Sequence, residues 1–585
     1  MGQFMVLNKG AQCFILMCFL LVASVIYLAG IDGRHIPKNG DEEVYLRITR
    51  LTALQGHWLP LQSDLTNMRN TKPPLLFWQG LMSSQWGKDF RFERLRYPNV
   101  IYSLLTAILI AFLATQLLGR VQQSWIKGAY AGLIWLGFWT TFRYGRPFLT
   151  AAPEVFWMFS SLVILLAKGK EGLESRLIVP VSMGLFWGLG LLTKSFALVI
   201  PAGIATTGIY LMHRDWCGFE MLRKDGYKLI ISGLLSLGLF GLWFLFDSEP
   251  EAIWREFVMG ENVGKLNITG GAIHYLKRLL WGHDSIISLL AGFLLNTGLF
   301  LFPAMVLFVH AGLQRKKLWF EQKALWLWII VWFLFFSLPD SRSARYLMPA
   351  MPCLAILLVL SWDTFKPWVF KLSHGVGLIL ILAMICVDYG ILSTANASDN
   401  INILWFSGFV FLIALMCSIA GIMFKQATRH LLPFTVFAVY ASLTCLLAPI
   451  NASHFSKKSQ ALLEKRSLAV PSNFRADHES YQFDFPTTTM VAYVSNDKKN
   501  TLKRLLDEHQ FVIWRGVFSK PAPSCAQCKI IDSRLEFLGR QDKNQFKEML
   551  EGKLSDNLVT REWLIQSTGP RQADSFTYEL GKGVG

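Results

Sequence analysis

Apolar runs of about 17 to 25 residues, the length needed to cross a hydrocarbon core, recur along most of the chain. They lie at 11–31, 97–118, 125–142, 150–167, 177–193, 196–212, 229–246, 286–310, 324–338, 345–361, 370–391, 402–424 and 430–450. The pattern predicts an α-helical polytopic membrane protein with about thirteen transmembrane helices. The first run carries one early charge, Lys9, and is longer than the roughly 7–15 residues of a signal-peptide core, so it reads as a retained anchor. After residue 450 the pattern changes. The segment 451–585 has no spanning run and alternates apolar with polar positions. Strands are predicted at 489–494 and 511–514, and helices at 502–509 and 543–550. Two units are therefore expected: a transmembrane domain over 1–450, and a C-terminal α/β domain over 451–585.

Charge supplies the orientation. Four short loops are basic: Lys168, Lys170 and Arg176; Arg214, Arg223, Lys224 and Lys228; Arg315, Lys316, Lys317 and Lys323; Lys425 and Arg429. On a thirteen-span path all four fall on one side, which the positive-inside rule makes cytoplasmic. The loop 32–96 and the tail then face outward. The net charge of +17 is thus a loop property, and no basic cluster interleaved with aromatics points to nucleic acid. With 53% hydrophobic and only 17% charged residues, against about 25% charged in soluble proteins, a soluble enzyme or a disordered chain is excluded. Of nine cysteines, Cys525 and Cys528 alone lie in the tail. On an oxidising face a C-x-x-C reads as a local disulfide, with a redox pair or a zinc site as alternatives; zinc would need two more ligands.

Candidate chemistry gathers at the outward ends of the spans. The first loop holds Asp41, Glu42 and Glu43, then Lys72 followed by Pro73 and Pro74. The prolines fix an extended or turn geometry, and the apolar stretch after them holds Lys72 at the membrane interface. Glu154 begins another span, with Arg143 and Arg146 just before it. Lys194 sits between two hydrophobic runs, and Arg342 and Arg345 lie at the mouth of a span. Charged residues at this depth face water or a cavity and mark functional sites. Acids beside several cations on one outer face suit a lipid phosphate: arginine grips phosphate through two parallel bonds, lysine adds a point charge, and a carboxylate serves as general base. A transporter or flippase of lipid-linked sugars is the alternative, and a non-catalytic sensor or scaffold a further one. A transporter would place polar residues or broken helices at midplane, whereas these charges sit at one face.

The same residues carry a family resemblance. Asp41, Glu42, Tyr45, Arg50 and Trp58, then Lys72-Pro73-Pro74, then Leu192 to Pro201 around Lys194, then Arg345-Tyr346 to Pro352, occur in order over residues 10–360. This set resembles the bacterial aminoarabinose transferases and protein O-mannosyltransferases, polytopic glycosyltransferases of the C fold. The resemblance implies a polyprenyl-phosphate-linked sugar donor and a lipid (lipid A-like), protein or glycan acceptor. It implies transfer with inversion on the periplasmic side of a bacterial inner membrane. It matches Asp41 to the acid of the first loop, Lys72 and Lys194 to donor-phosphate contacts, and Arg345 to a motif that lines the donor site; with their neighbours, the candidate catalytic acids are Asp41, Glu42 and Glu154, and the candidate donor-phosphate contacts Lys72, Lys194, Arg345, Arg342 and Tyr346. Some relatives place a divalent metal near the acids; Asp41, Glu42, Glu43, Glu154 and a histidine could ligate one here, with Asp41 and Glu154 the foremost candidates. The aminoarabinose subgroup has an acid just before a proline; here Ala152 precedes Pro153 and the acid is Glu154. Thr71 likewise stands where that subgroup has an acid. A variable segment over the site corresponds to 251–285, with Glu261, Asn262, Lys265, His274 and His283.

Overall fold

The computed structural model describes residues 9–38, 40–119, 124–264, 271–282, 284–313, 315–340, 342–394, 401–495, 497–517, 520–525, 527–537 and 559–569. The helix expected at 543–550, Lys265 and His283 lie outside them.

Every apolar run coincides with helix. The first eleven helices are α1 (Lys9–Leu28), α2 (Asp41–Gln55), α3 (Leu75–Ser83), α4 (Phe92–Leu118), α5 (Ser124–Leu136), α6 (Trp139–Tyr144), α7 (Ala151–Leu166), α8 (Lys170–Glu174), α9 (Ile178–Thr193), α10 (Phe196–His213) and α11 (Gly218–Phe246). Longer helices follow at Phe320–Ser337, Pro367–Thr394, Ile401–Met423 and Thr428–Asn451. Among the described residues eight helices are long and apolar enough to cross a membrane, or nine if one bent pair counts as a single span. The chain is a multi-pass membrane protein, and among the described residues the helices of full spanning length are fewer than the thirteen runs.

The difference has local causes. The run at 286–310 is two helices, Ile286–Leu295 and Gly298–Leu313, bent by 109°. Gly298 adopts φ +61° at the break, a conformation open to glycine, and the Asn296 side chain there donates to the Ala344 carbonyl at 3.0 Å. Helices α7 and α9 have 16 residues each, roughly 24 Å of rise, against about 30 Å of hydrocarbon. Their short ends matter for the site, because Glu154 lies in the first turn of α7 and Lys194 caps the last turn of α9.

The large core lies among the helices, where α4 packs on α5 and α9 on α11. A second core, with Val44, Tyr45, Ile48, Phe77, Leu95 and Phe148, fastens α2 and α3 over the helical bundle. The tail forms a five-stranded sheet in the order β2-β1-β3-β5-β4 from β1 (Ser467–Pro471), β2 (Thr489–Tyr493), β3 (Phe511–Val517), β4 (Cys528–Phe537) and β5 (Val559–Ser567). β1 pairs parallel with β2 and β3, and β5 antiparallel with β3 and β4. Alternate residues enter opposite cores: Leu468, Val470, Phe511 and Ile513 on one face, Ala469, Val512 and Trp563 on the other. The strands expected at 489–494 and 511–514 and the helix at 502–509 are all present. Cys525 and Cys528 form a disulfide with Cα atoms 5.5 Å apart.

Candidate active site

The three consecutive acids open α2, where carboxylates suit the positive end of the helix dipole. At 3.6 residues per turn they diverge by about 100° each, so their carboxylates leave the helix in different directions. Asp41 faces outward to two arginines. Its Oδ2 accepts from both terminal nitrogens of Arg345, at 3.2 Å each, and its Oδ1 accepts from Arg475 at 2.8 Å.

Glu42 turns inward. Fully buried, it takes two parallel bonds from Arg96, 2.8 and 2.9 Å, and accepts the Phe148 amide at 2.8 Å, while Lys38 stands 3.1 Å away. Burial alone would raise its pKa, but Arg96 and Lys38 hold it down at about 2. Arg96 also donates to the carbonyls of Ile31 and Gly33. Glu42 is thus tied into the framework that carries residue 148 toward α7, and the structure does not bring it to Asp41's partners. Glu43 pairs with Lys38.

Lys72 ends the loop before α3, whose first turn follows Pro74. Its ammonium donates to its neighbour's carbonyl, Thr71, at 2.6 Å and to Glu261 at 3.2 Å. Glu261 comes from a π-helical stretch, Trp254–Val263, so the 251–285 segment touches Lys72. His274, on the same segment, is exposed.

Glu154 is fully buried, and the Lys194 ammonium lies 2.6 Å from its Oε2. The other oxygen, Oε1, has no hydrogen-bond partner among the described residues. Lys194 stands 5.1 Å over the Tyr346 ring, and Arg345 lies 5.7 Å over both Tyr144 and Tyr346. Arg345 and Tyr346 project from a 3₁₀ stretch, Ala344–Ala350, that precedes the helix Met351–Ser361. Arg345 and Lys72 are charged neighbours of the Glu154–Lys194 pair. Asp41, Lys72, Glu154, Lys194, Arg345 and Tyr346, drawn from five separate segments, therefore form one cluster.

Arg342 does not join it. Its guanidinium donates to the carbonyls of Ser337 at 2.7 Å and Asp284 at 2.8 Å and lies over Tyr275, so its donors hold the chain before the 3₁₀ stretch. Arg146 likewise holds carbonyls at the end of α1, those of Tyr27 and Ala29. Arg475 is the residue that sequence reasoning missed. It lies in the tail, far from every motif, and no local pattern marks it. The donor set does not suit a divalent metal: both oxygens of Asp41 carry arginine bonds and Glu154 is paired with lysine, and among the described residues no three His, Cys, Asp or Glu side chains gather.

No protein-family model matches the chain. It is 26% identical over 348 residues to the undecaprenyl phosphate-alpha-4-amino-4-deoxy-L-arabinose arabinosyl transferase of Aeromonas salmonicida, covering 58% of each chain. It is 27% identical over 390 residues to a transferase of the same description from Sodalis glossinidius, covering 63% of this chain and 64% of that one. The chain thus matches less than two thirds of the length of these curated relatives. Its structure superimposes on crystal structures of ArnT from Cupriavidus metallidurans, bound to undecaprenyl phosphate with a TM-score of 0.58 and apo with 0.56, at 14% and 13% identity. The former match covers 94% of this chain and 98% of that one. The chain has the fold of these polytopic transferases, which is the fold the ordered motifs implied, and it resembles the aminoarabinose transferases in sequence.

Proposed function

We propose that the chain is an integral membrane glycosyltransferase. It moves a sugar from a polyprenyl-phosphate donor to a lipid, protein or glycan acceptor at the periplasmic face of the bacterial inner membrane. The observation that carries this reading is the convergence of Lys72, Lys194 and Arg345 beside two acids. In this assignment the cations grip the donor phosphodiester and stabilise the charge that grows on its oxygen as the anomeric bond breaks. The acceptor oxygen attacks from the opposite side, inverting the anomeric carbon. Asp41 takes the proton of a hydroxyl acceptor, or orients a phosphate acceptor that has none to lose. Glu154 holds Lys194 in place, and Tyr346 flanks both Lys194 and Arg345. Glu42 acts on the framework, and Arg342 supports the segment that presents Arg345.

The thirteen apolar runs are assigned as thirteen crossings, four of them by short or bent helices. The two-unit division at residue 450 goes with them, and the tail is assigned to the periplasm. The basic loops support that orientation. The resemblance to transferases named for undecaprenyl phosphate-linked aminoarabinose supports the donor class. The test is release of undecaprenyl phosphate from undecaprenyl-phosphate aminoarabinose or hexose by purified protein supplied with host membrane extract. Wild-type protein that releases none from any such donor contradicts the reading.

A further inference from the structure

We propose that Arg475 is a positioning residue for Asp41, so that the tail completes the active site. The proposal rests on the glycosyltransferase reading and adds a residue to it from outside the helical region. Asp41 is held on two oxygens from two directions: Arg345 from the membrane side on Oδ2, and Arg475 from the tail on Oδ1. A carboxylate gripped through one oxygen still rotates about its terminal torsion, which is broad. Grips on both oxygens fix its plane, and in-line attack needs that orientation.

The segment that delivers Arg475 is anchored independently of it. Four residues on, Glu479 is fully buried and accepts from Arg47 at 2.8 Å and from Arg50 at 2.5 and 3.0 Å, both on α2, the helix that begins with Asp41. Phe483 stacks on Phe92 at 3.7 Å and on Phe90 at 5.1 Å. Ala476 is buried in the core that holds Val44 and Tyr45. Docking of the tail on α2 is therefore secured by Glu479, Phe483 and Ala476. The Arg475 side chain is 42% exposed, so its pairing with Asp41 is not needed to satisfy a buried charge. Its backbone adopts φ +47°, a left-handed conformation uncommon for a side-chain-bearing residue. Such conformations persist where the surroundings over-determine them, and they cluster at functional sites. A rigid mount, a sparsely used backbone conformation and a guanidinium aimed at the candidate base together assign Arg475 to orienting Asp41.

The experiment uses full-length protein with Arg475→Ala, Arg475→Lys and, as a docking control, Glu479→Gln. Three quantities are read: affinity for undecaprenyl phosphate, kcat for its release from undecaprenyl-phosphate aminoarabinose with host membrane extract as acceptor source, and Tm. Loss of one charge-assisted bond predicts that Arg475→Ala lowers kcat by about 10- to 100-fold, with lipid affinity and Tm unchanged. Arg475→Lys keeps the charge and one donor, so it recovers most of that loss. Glu479→Gln should lower Tm and kcat together. The inference is overturned if Arg475→Ala keeps its kcat, or if it loses kcat only in step with Tm as the docking control does. Wild-type protein without activity would overturn the transferase reading and this inference together, whereas active wild type with an unaffected Arg475→Ala overturns the inference alone.

Discussion

Lys194 and Glu154 form a 2.6 Å ion pair at the facing ends of two short helices, with Glu154 fully buried and Lys194 nearly so. Removing one partner of a buried pair leaves the other charge uncompensated, which costs roughly 3–5 kcal/mol. Lys194→Ala is therefore expected to lower Tm, and adding Glu154→Gln should restore much of it by removing the stranded charge. The double variant should remain inactive, since Lys194 is still missing. Equal Tm values for Lys194→Ala and the double variant would show that the pair is not coupled in this way.

Asp41→Asn should leave insertion and Tm intact while lowering transfer by about 10²–10⁴ for a hydroxyl acceptor, the range of a general base. A smaller loss is expected if the acceptor is a phosphate. Size-exclusion behaviour and single-turnover rates of the purified variant check both halves. Near-normal turnover by well-folded protein would remove Asp41 from the site.

Glu42 behaves as a framework acid, and its pH dependence should reveal it. Its pKa falls from an ordinary 4.5 to about 2 in the folded protein. Because the folded value is depressed, the unfolded chain binds the proton first as pH falls, so the stabilisation is complete above pH 4.5 and disappears toward pH 2. Glu42→Gln should lower Tm at neutral pH and flatten the dependence of Tm on pH across that window. Parallel wild-type and variant curves would contradict the assignment.

The orientation makes its own prediction. An alkaline phosphatase fused after residue 585 should be active, since the tail is assigned to the periplasm. Activity of a cytosolic reporter at the same place would mean that the number of crossings differs by one from thirteen.

Much of this arrangement was legible in the sequence for definite reasons. Long apolar runs can only be helices in lipid, because every backbone polar group must be satisfied within the segment. Charged residues at the ends of such runs stand out against the apolar pattern, which picked out Lys72, Glu154, Lys194 and Arg345 as candidates. What failed to show was the direction in which each side chain points. Asp41, Glu42 and Glu43 look equivalent in sequence, yet their angular spread on α2 sends one to the site, one to Arg96 and one to Lys38. Arg342 resembles Arg345 three residues on, but its Nε and Nη1 donate to the carbonyls of Ser337 and Asp284. The break within 286–310 was invisible because a 109° bend at Gly298 leaves hydropathy unchanged. Arg475 depends on docking between segments more than 400 residues apart, and no local pattern encodes it.

The most direct test of the central claim is the affinity of the purified protein for undecaprenyl phosphate, measured for wild type and for Lys72→Ala, Lys194→Ala and Arg345→Ala. Each cation is assigned a charge-assisted bond to the phosphate, worth about 1.5–3 kcal/mol, so each variant should bind roughly 10- to 100-fold more weakly. Undecaprenol, which lacks the phosphate, should bind wild type and variants alike. Three folded variants that bind undecaprenyl phosphate as tightly as wild type would contradict the account.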